Sequence, residues 1–119
     1  MEVKIKLKNI QLFGYHGVND FERQNGQPFE IDVEVIAPHK FDTVADDLSK
    51  SIDYSVLYDH IVNLFSENNN NLLETLANKI SISILNKFKV TSCKITIRKP
   101  NVPINGKLDS VEVEVNNNA

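Results

Sequence analysis

The stretch FEIDVEV (29–35) decides the fold, because it alternates apolar and acidic residues without interruption. Its odd positions are Phe, Ile, Val and Val, whereas its even positions carry Glu, Asp and Glu. Strict alternation is typical of a strand with one buried face. Upstream, VKIKL (3–7) alternates apolar residues with lysines, and Lys8 continues the series. Because opposite charges on facing strands are mildly favourable, we expect these two stretches to pair as an antiparallel hairpin.

Two further strands are indicated towards the end of the chain, by KITI (94–97) and VEVEV (111–115). In the first strand the apolar phase shifts at Ile10, which predicts a bulge or bend near Lys8–Asn9. The pattern therefore gives two strands before the middle of the chain and two after it.

The middle of the chain has helical periodicity. YSVLYDHIVNLF (54–65) is preceded by Asp53 as a candidate N-cap, and LLETLANKISISIL (72–85) is preceded by Asn71. The order β-β-α-α-β-β predicts an α+β fold with a four-stranded antiparallel sheet and both helices on one face. Such a sheet has two open edges, and pairing between subunits would remove them, so we expect oligomerisation. Ile82 lies opposite the apolar stripe of the second helix and suggests a second contact.

Composition narrows the class of protein. The 119 residues are enough for one domain, 1–119, with a tail at 116–119 that we expect to be disordered. Net charge is −3 without a basic stripe, which argues against nucleic acid as a partner. No apolar run approaches the ~20 residues of a membrane span. The chain has a single cysteine, Cys93, and an N-terminus without an apolar leader, so a cytoplasmic location is expected.

Lys99, in IRKPNVPI (97–104), falls in phase with the core-facing residues of its strand. A lysine at a strand end usually extends to water. Here Pro100 restricts the preceding residue to extended backbone, which fixes the direction of the Lys99 side chain. Lys99 is therefore a candidate catalytic residue, because a partly desolvated lysine can exchange protons near neutral pH.

Three other residues have both a structural and a functional interpretation. Glu74 fits a capping box with Asn71, yet a carboxylate beside an apolar wall also suits a ligand with paired N–H donors. Glu22 is an ordinary surface glutamate by itself, but it lies in a long connection whose glycines are typical of a binding loop. Tyr54 opens a helix, where most tyrosines pack, but its hydroxyl can also orient a proton.

Metal and cofactor motifs do not stand out. The three histidines, His16, His39 and His60, are scattered, with no HExxH spacing, so a zinc site is not expected. No phosphate-binding glycine motif and no nucleophile motif is found. The sequence therefore predicts neither a metal nor a cofactor.

Four stretches together resemble one family: LFGYHGVNDFERQNGQPFEIDVEV (12–35), IDYSVLYDHI (52–61), NLLETLANKI (71–80) and KPNVPINGKLDSVEVEV (99–115). They are similar to the dihydroneopterin aldolases of folate biosynthesis, and the resemblance runs from about residue 3 to residue 115. It implies the tunnelling fold, whose subunits join sheets edge to edge in a ring, with two rings stacked as a homo-octamer. The implied barrel is thus oligomeric.

The resemblance also implies a reaction. 7,8-Dihydroneopterin is cleaved to 6-hydroxymethyl-7,8-dihydropterin and glycolaldehyde, without metal, cofactor or Schiff base. Lys99 matches the catalytic lysine that serves N5 of the pterin, and Glu22 matches the glutamate near the catalytic water and the substrate side chain. Glu74 and its neighbour Leu73 match the residues that bind the pterin edge. Tyr54 matches a tyrosine that an adjacent subunit contributes to catalysis and to packing on the pterin.

Several alternatives stay open at this point. Many family members also epimerise the 2′ centre of the substrate. An epimerase of dihydroneopterin triphosphate would need a basic cluster, for which Arg23, Arg98 and Lys107 are candidates. A non-catalytic pterin-binding module would need Glu74 but not Lys99, and a zinc-dependent pyruvoyl-tetrahydropterin synthase of similar fold would need a metal.

Overall fold

A computed structural model of the chain describes residues 2–38, 46, 51–67 and 69–119. It contains four strands and three helices, in the order β1 (Lys4–Gly14), α1 (Asp20–Asn25), β2 (Gln27–Ile36), α2 (Tyr54–Glu67), α3 (Leu73–Lys87), β3 (Ser92–Lys99) and β4 (Val111–Asn118). The strands form one sheet in the order β1-β2-β3-β4, and every neighbouring pair is antiparallel. The predicted β-β-α-α-β-β arrangement is confirmed, with α1 as an addition.

The β1–β2 hairpin forms as the charge pattern predicts. Lys6 faces Glu34 with 3.3 Å between Nζ and Oε1, and Lys8 Nζ lies 3.2 Å from Asp32 Oδ2. The register shifts after Leu7, so that the next pair along the ladder begins at Ile10. Asn9, with φ of 58°, occupies the left-handed region within this bulge, as short polar residues can.

The core lies between the apolar face of the sheet and the two long helices. α3 packs on β3 and β4, and α2 packs on β1 and α3. Buried side chains alternate along β2 with partly exposed acidic ones, as a strand with one covered face requires. The fully buried side chains of this core include Phe29, Ile31, Val33, Leu57, Ile61, Leu76, Ile80, Ile84, Ile95 and Ile97.

Helix α1 is absent from the sequence prediction, which treated its residues as loop. It has six residues, too few to show a helical period. Its backbone begins after Asn19, and the Glu22 and Arg23 N–H groups both donate to the Asn19 carbonyl, at 3.1 and 3.3 Å. Gly26, with φ of 70°, ends the helix and returns the chain to β2.

The start of α3 also differs from the prediction. The helix begins at Leu73, and the residue at its N-cap position is Leu72, whose side chain makes no capping hydrogen bond. Asn71 instead accepts a hydrogen bond from Arg23 Nη1 at 3.3 Å through its side-chain oxygen. Asn71 is therefore wrong as the N-cap, and Glu74 is the second helical residue rather than the third. Asp53 does cap α2, since its Oδ1 accepts the Ser55 N–H at 2.9 Å.

The tail corrects a second expectation. Residues 116–118 do not fray but continue β4, opposite Lys94, Cys93 and Ser92 of β3. Asn117 Nδ2 also donates to Asn78 Oδ1 and to Ser81 Oγ on α3, both at 3.0 Å. Ladder bonds and side-chain bonds together outweigh the low strand propensity of asparagine. The disorder expected for 116–119 is thus contradicted by an ordered strand end.

The two outer strands are β1 and β4, and among the described residues no further strand pairs with either edge of the sheet. Ile82 on α3 is 44% exposed, and the second contact expected for it stays a prediction. Across the ranges that the structure describes, no helix has the length and apolarity that crossing a bilayer requires.

Candidate active site

Lys99 and Glu22 meet although 77 positions separate them in the chain. Lys99 is the last residue of β3 and pairs with Val111 of β4, in phase with the buried Ile95 and Ile97. Its Nζ donates to Glu22 Oε2 at 2.7 Å, and the two side chains are 13% and 2% exposed. A partly desolvated ion pair of this length is a strong, directional contact. Lys99, which is in phase with the buried residues of its strand, therefore points at the carboxylate of Glu22 and not into the apolar core.

Glu22 is held by donors on both of its carboxylate oxygens. Gln27 Nε2 donates to Oε2 at 2.6 Å, beside Lys99. Asn19 donates to Oε1 through its backbone N–H at 3.3 Å and its side-chain Nδ2 at 3.0 Å. Gly17, with φ of 153°, adds a steric condition: a Cβ there would lie 2.7 Å from the Glu22 carboxyl carbon. These contacts fix the carboxylate in one orientation.

The carboxylate is also kept ionised. Burial by itself raises the pKa of Glu22, but the hydrogen bonds from Lys99, Gln27 and Asn19 outweigh burial, so that its pKa lies below the ordinary value. Glu22 is therefore an anion near neutral pH, and it lies beside the amino group of Lys99. Such a pair can hold a water or hydroxyl and pass protons through the lysine.

A cavity of about 240 Å³ joins Lys99 to Glu74 and Leu73. Its remaining wall is mostly apolar and comes from the chain before α1, the start of α3, the chain after β3, and β4. Leu73 is buried whereas Glu74 is exposed, so the carboxylate of the first turn of α3 is free to meet a ligand. The arrangement of two apolar walls, one carboxylate and one ammonium suits a small flat heterocycle that carries N–H donors. The cavity is lined by Val18, Asn71, Leu72, Leu73, Glu74, Lys99, Val102, Pro103, Ile104, Val111 and Val113.

A second hollow, of about 520 Å³, lies on the Glu22 side of the ion pair. It is lined by polar groups such as Asn25, Gln27 and Asn101, and it shares Val102 and Pro103 with the first cavity. The segment after Pro100 thus forms part of both walls. The Glu22–Lys99 pair lies at the boundary between an apolar and a more polar space.

Tyr54 is the one candidate that the fold keeps apart from the others. It begins α2, its side chain is 64% exposed, and it lines neither of the two cavities around Lys99 and Glu22. A single chain therefore brings together Glu22, Leu73, Glu74 and Lys99 but leaves Tyr54 on the surface.

Sequence reasoning missed the residues that hold Glu22 in place. Gln27 is buried at the first position of β2, and Asn19 precedes α1 with the spacing N-x-x-E that is typical of a helix start. That spacing was a usable signal for Asn19. Gln27 had no comparable signal, because a polar residue at a strand end is usually solvated.

The histidines do not form a metal centre among the residues with described structure, where no group of three His, Cys, Asp or Glu side chains is placed to hold an ion. His16 is buried and bonded to backbone, and His60 Nε2 lies 2.9 Å from Ser83 Oγ between α2 and α3. His39 lies outside the described residues.

Comparison with known proteins gives one consistent result. The family model described as dihydroneopterin aldolase matches residues 5–116. The dihydroneopterin aldolase of Bacillus subtilis is 33% identical over 113 residues, with 94% of each chain covered. The E. coli dihydroneopterin aldolase, solved in complex with neopterin, superposes with a TM-score of 0.86 at 18% identity, covering 97% of this chain and 98% of that one. The Burkholderia thailendensis dihydroneopterin aldolase, bound to guanine, gives 0.83 at 24% identity, covering 99% and 92%.

Proposed function

This chain belongs to the dihydroneopterin aldolase family, and from that premise we propose that Glu22, Lys99, Glu74, Leu73 and Tyr54 carry out its reaction. The enzyme is a lyase that acts on dihydroneopterin, and its sheet and helices form the tunnelling fold of the family. The 2.7 Å contact between Lys99 and Glu22, beside a cavity that also contains Glu74, is the observation that supports this assignment of residues.

Substrate binding uses the apolar cavity. Glu74 accepts hydrogen bonds from the amino group and ring N–H of the pterin, and the backbone of Leu73 contacts the same edge. Because a carboxylate makes charge-assisted bonds to paired N–H donors, this edge fixes the orientation of the ring. The solved relatives hold neopterin and guanine, two heterocycles that both have such an amino and N–H edge.

The chemical step is a retro-aldol cleavage. A base removes the proton of the 2′ hydroxyl, the bond between C1′ and C2′ breaks, and a carbonyl forms at C2′ as glycolaldehyde leaves. The electron pair passes through C6 to the N5 imine, which takes a proton from Lys99 through a water. The resulting enol then gains a proton at C1′ and loses one from N5, which yields 6-hydroxymethyl-7,8-dihydropterin. The substrate's own imine accepts the electrons, so Lys99 and Glu22 only position groups and move protons.

Glu22 has a supporting role in this scheme. Its pKa is lowered against the effect of burial by its bonds to Lys99, Gln27 and Asn19, so it accepts hydrogen bonds as a carboxylate near neutral pH. An ionised Glu22 keeps Lys99 oriented and binds the water or the substrate hydroxyl groups on the polar side of the pair.

Epimerisation at C2′ would use the same groups, since re-addition of the aldehyde in the other orientation returns the other diastereomer. The triphosphate substrate is less well supported. Arg98 faces the opposite side of the sheet from Lys99, where it binds Asp32 and Glu30, and Arg23 is bonded to Asp20 and Asn71. Neither arginine lines the cavity beside Lys99.

The deciding experiment is a product assay. The purified protein is incubated with 7,8-dihydroneopterin, and separately with its triphosphate, and the products are separated by chromatography. We expect glycolaldehyde and 6-hydroxymethyl-7,8-dihydropterin from the first, together with any 2′ epimer. Binding without turnover would instead identify a non-catalytic pterin-binding module, and turnover restricted to the triphosphate would identify the alternative epimerase. Turnover that required added zinc would point to the synthase chemistry.

The complete site is proposed to form between subunits of a homo-octamer built from two tetrameric rings. The two open sheet edges and the exposed Tyr54 support this arrangement. Two inactive variants, Tyr54→Ala and Lys99→Met, are unfolded and refolded together, so that some sites receive an intact Tyr54 from one chain and an intact Lys99 from the other. We expect part of the wild-type turnover to return in the mixture. A mixture no more active than its separate components would show that Tyr54 acts in its own chain or not at all.

A further inference from the structure

A buried histidine outside the proposed chemistry joins the two walls of the site. His16 lies between β1 and α1 and is 1% exposed. Its Nδ1 accepts the backbone N–H of Asn70 at 3.1 Å, and its Nε2 lies 3.2 Å from the carbonyl oxygen of Phe65 in α2. The ring thus connects the chain before α1 with the end of α2 and with the connection that leads into α3.

The tautomer of His16 is determined by its neighbours. Because Nδ1 faces an N–H donor, it must be the acceptor, and Nε2 must carry the proton that is donated to Phe65. Burial lowers the pKa of His16, despite the opposing effect of the bond to Phe65, so the ring is neutral near pH 7. The rings of Phe29 and Phe65 pack edge-on at 5.6 and 4.6 Å between centroids, which leaves the imidazole a single orientation.

A second hydrogen bond makes the connection reciprocal. The Gly17 N–H donates to the Asn70 carbonyl at 3.0 Å, while the Asn70 N–H binds His16. Lys79 Nζ on α3 donates to Asn70 Oδ1 at 2.9 Å, so that Asn70 is also bound to the body of that helix. We refer to the contacts of His16 and Gly17 with Asn70 as the clasp.

Each end of the clasp leads directly to site residues. On one side, Gly17 abuts the Glu22 carboxyl group, and Val18 lines the cavity. On the other side, the residues after Asn70 run into Leu73 and Glu74. The clasp therefore lies where a small relative movement of the two chain segments would change the separation of the Glu22–Lys99 pair from Glu74.

We propose that His16 is a positioning residue, which through Asn70 holds the pterin-binding wall at the start of α3 in register with the Glu22–Lys99 pair. This inference rests on the proposed function, since it assigns to the clasp the distance between Glu74, which binds the pterin edge, and Lys99, which serves N5. A displacement of about 1 Å at a reacting centre can lower the rate by about 100-fold. Loss of the Nδ1 acceptor therefore lowers kcat rather than only the amount of folded protein.

Two substitutions separate the acceptor from the donor of the imidazole. His16→Asn places an amide oxygen near the position of Nδ1 and keeps the acceptor for Asn70, whereas His16→Gln places its amide near Nε2 and keeps the donor for Phe65. His60→Asn, at the other histidine that joins helices, is the matched control away from the cavity. We expect His16→Gln to lower kcat/KM about 10- to 100-fold per folded molecule, with the loss mainly in kcat. His16→Asn and His60→Asn are expected to stay within about fivefold of wild type.

Equal losses in the Asn and Gln variants, or a folded His16→Gln enzyme with wild-type kcat and KM, would overturn the proposal. Should the His16 variants fail to fold, hydrogen exchange on the wild-type protein decides. The Asn70 amide is expected to exchange slowly, as a buried bonded group does, and still more slowly when pterin is bound. Exchange at the rate of an open loop, unaffected by pterin, contradicts the clasp. A wild-type enzyme without turnover of 7,8-dihydroneopterin refutes the proposed function, whereas the exchange result tests the clasp independently.

Discussion

Arg98 and Lys99 are adjacent in β3, yet they face opposite sides of the sheet and occupy different electrostatic environments. The Arg98 guanidinium binds Asp32 at 2.7 and 3.1 Å, Glu30 at 3.1 Å and Glu112 at 3.3 Å. Lys99 binds one carboxylate, Glu22, among the residues that the structure describes. One cation is surrounded by acceptors, whereas the other keeps donor capacity towards a cavity.

The pKa shifts show the same contrast. The hydrogen bonds to Asp32 raise the pKa of Arg98 further above its already high value, and Arg98 in turn holds the pKa of Asp32 well below its ordinary range. The hollow of about 250 Å³ on this face is lined mainly by charges that are already paired. The large pKa shifts of Arg98 and Asp32 thus mark a stabilising network, whereas the candidate site lies where an ion pair borders a cavity.

The comparison is tested most strongly by removing the Lys99 ammonium. Lys99→Met is expected to lower kcat about 10²- to 10⁴-fold, the usual contribution of a general acid–base group, while pterin binding measured by fluorescence changes little. Arg98→Met, assayed in parallel, is expected to keep kcat within a few-fold of wild type. Near-normal turnover in Lys99→Met would remove Lys99 from the mechanism.

The next largest effect is expected at Glu74. Glu74→Gln loses a charged acceptor that is worth about 1.5–3 kcal/mol, which corresponds to a roughly 10- to 100-fold weaker Kd for pterin. Asp59→Asn on the exposed surface of α2 is a control for loss of one negative charge. Calorimetric titration with a pterin measures both. An unchanged affinity in Glu74→Gln would place the ring edge elsewhere.

Arg98 should matter for stability instead. Arg98→Met leaves Asp32, whose side chain is only 14% exposed, without its main hydrogen-bond donor. We therefore expect the free energy of unfolding to fall by about 1–3 kcal/mol. Chemical denaturation monitored by circular dichroism gives this value. If Lys99→Met lowered the free energy of unfolding more than Arg98→Met, then Lys99 and not Arg98 would be the cation that mainly stabilises the fold.

The smallest expected effect is on acid stability. The pKa values of both Glu22 and Asp32 are lowered, from ordinary values of 4.5 and 3.8, so each carboxylate stabilises the fold above its ordinary value, and that contribution is lost as the pH falls. Unfolding free energies between pH 6 and 3 should therefore decline less steeply in Glu22→Gln and in Asp32→Asn than in wild type. The loss should begin at a higher pH for Glu22, whose ordinary value is higher, and should continue below pH 3 for Asp32, whose folded-state pKa lies well below 3.8. A steeper decline in either variant would contradict the assigned shifts.

The sequence predicted the sheet well because its information is local. Alternation in 29–35 and the lysines opposite it specify a hairpin, and the phase shift at Ile10 locates the bulge. Lys99 was identified in the same way, since strand phase alone directs it inward. These features depend on positions two residues apart, which a single chain displays directly.

What the sequence could not predict depends on distant contacts. Glu22 is buried on α1 and is bonded by Gln27 and by Lys99, which lies 77 positions away along the chain, and no local pattern contains that set. Asn71 has the spacing of an N-cap, but Arg23 binds its side chain, and the helix starts two residues later. The cytoplasmic location and the contribution of Tyr54 from a neighbouring subunit stay predictions, because each concerns something outside one folded chain.

The left-handed residue in β1 has a consequence for how the gene can change length. Lys8 and Asn9 together oppose the single residue Asp32, so the strand carries one residue more than its partner at this point. A codon lost here would leave Leu7 and Ile10 facing the same side as before. A codon lost elsewhere between Ile10 and Gly14 would turn the following side chains to the opposite face. The bulge is thus a place in this strand where the loss of one residue would keep the buried and exposed faces as they are.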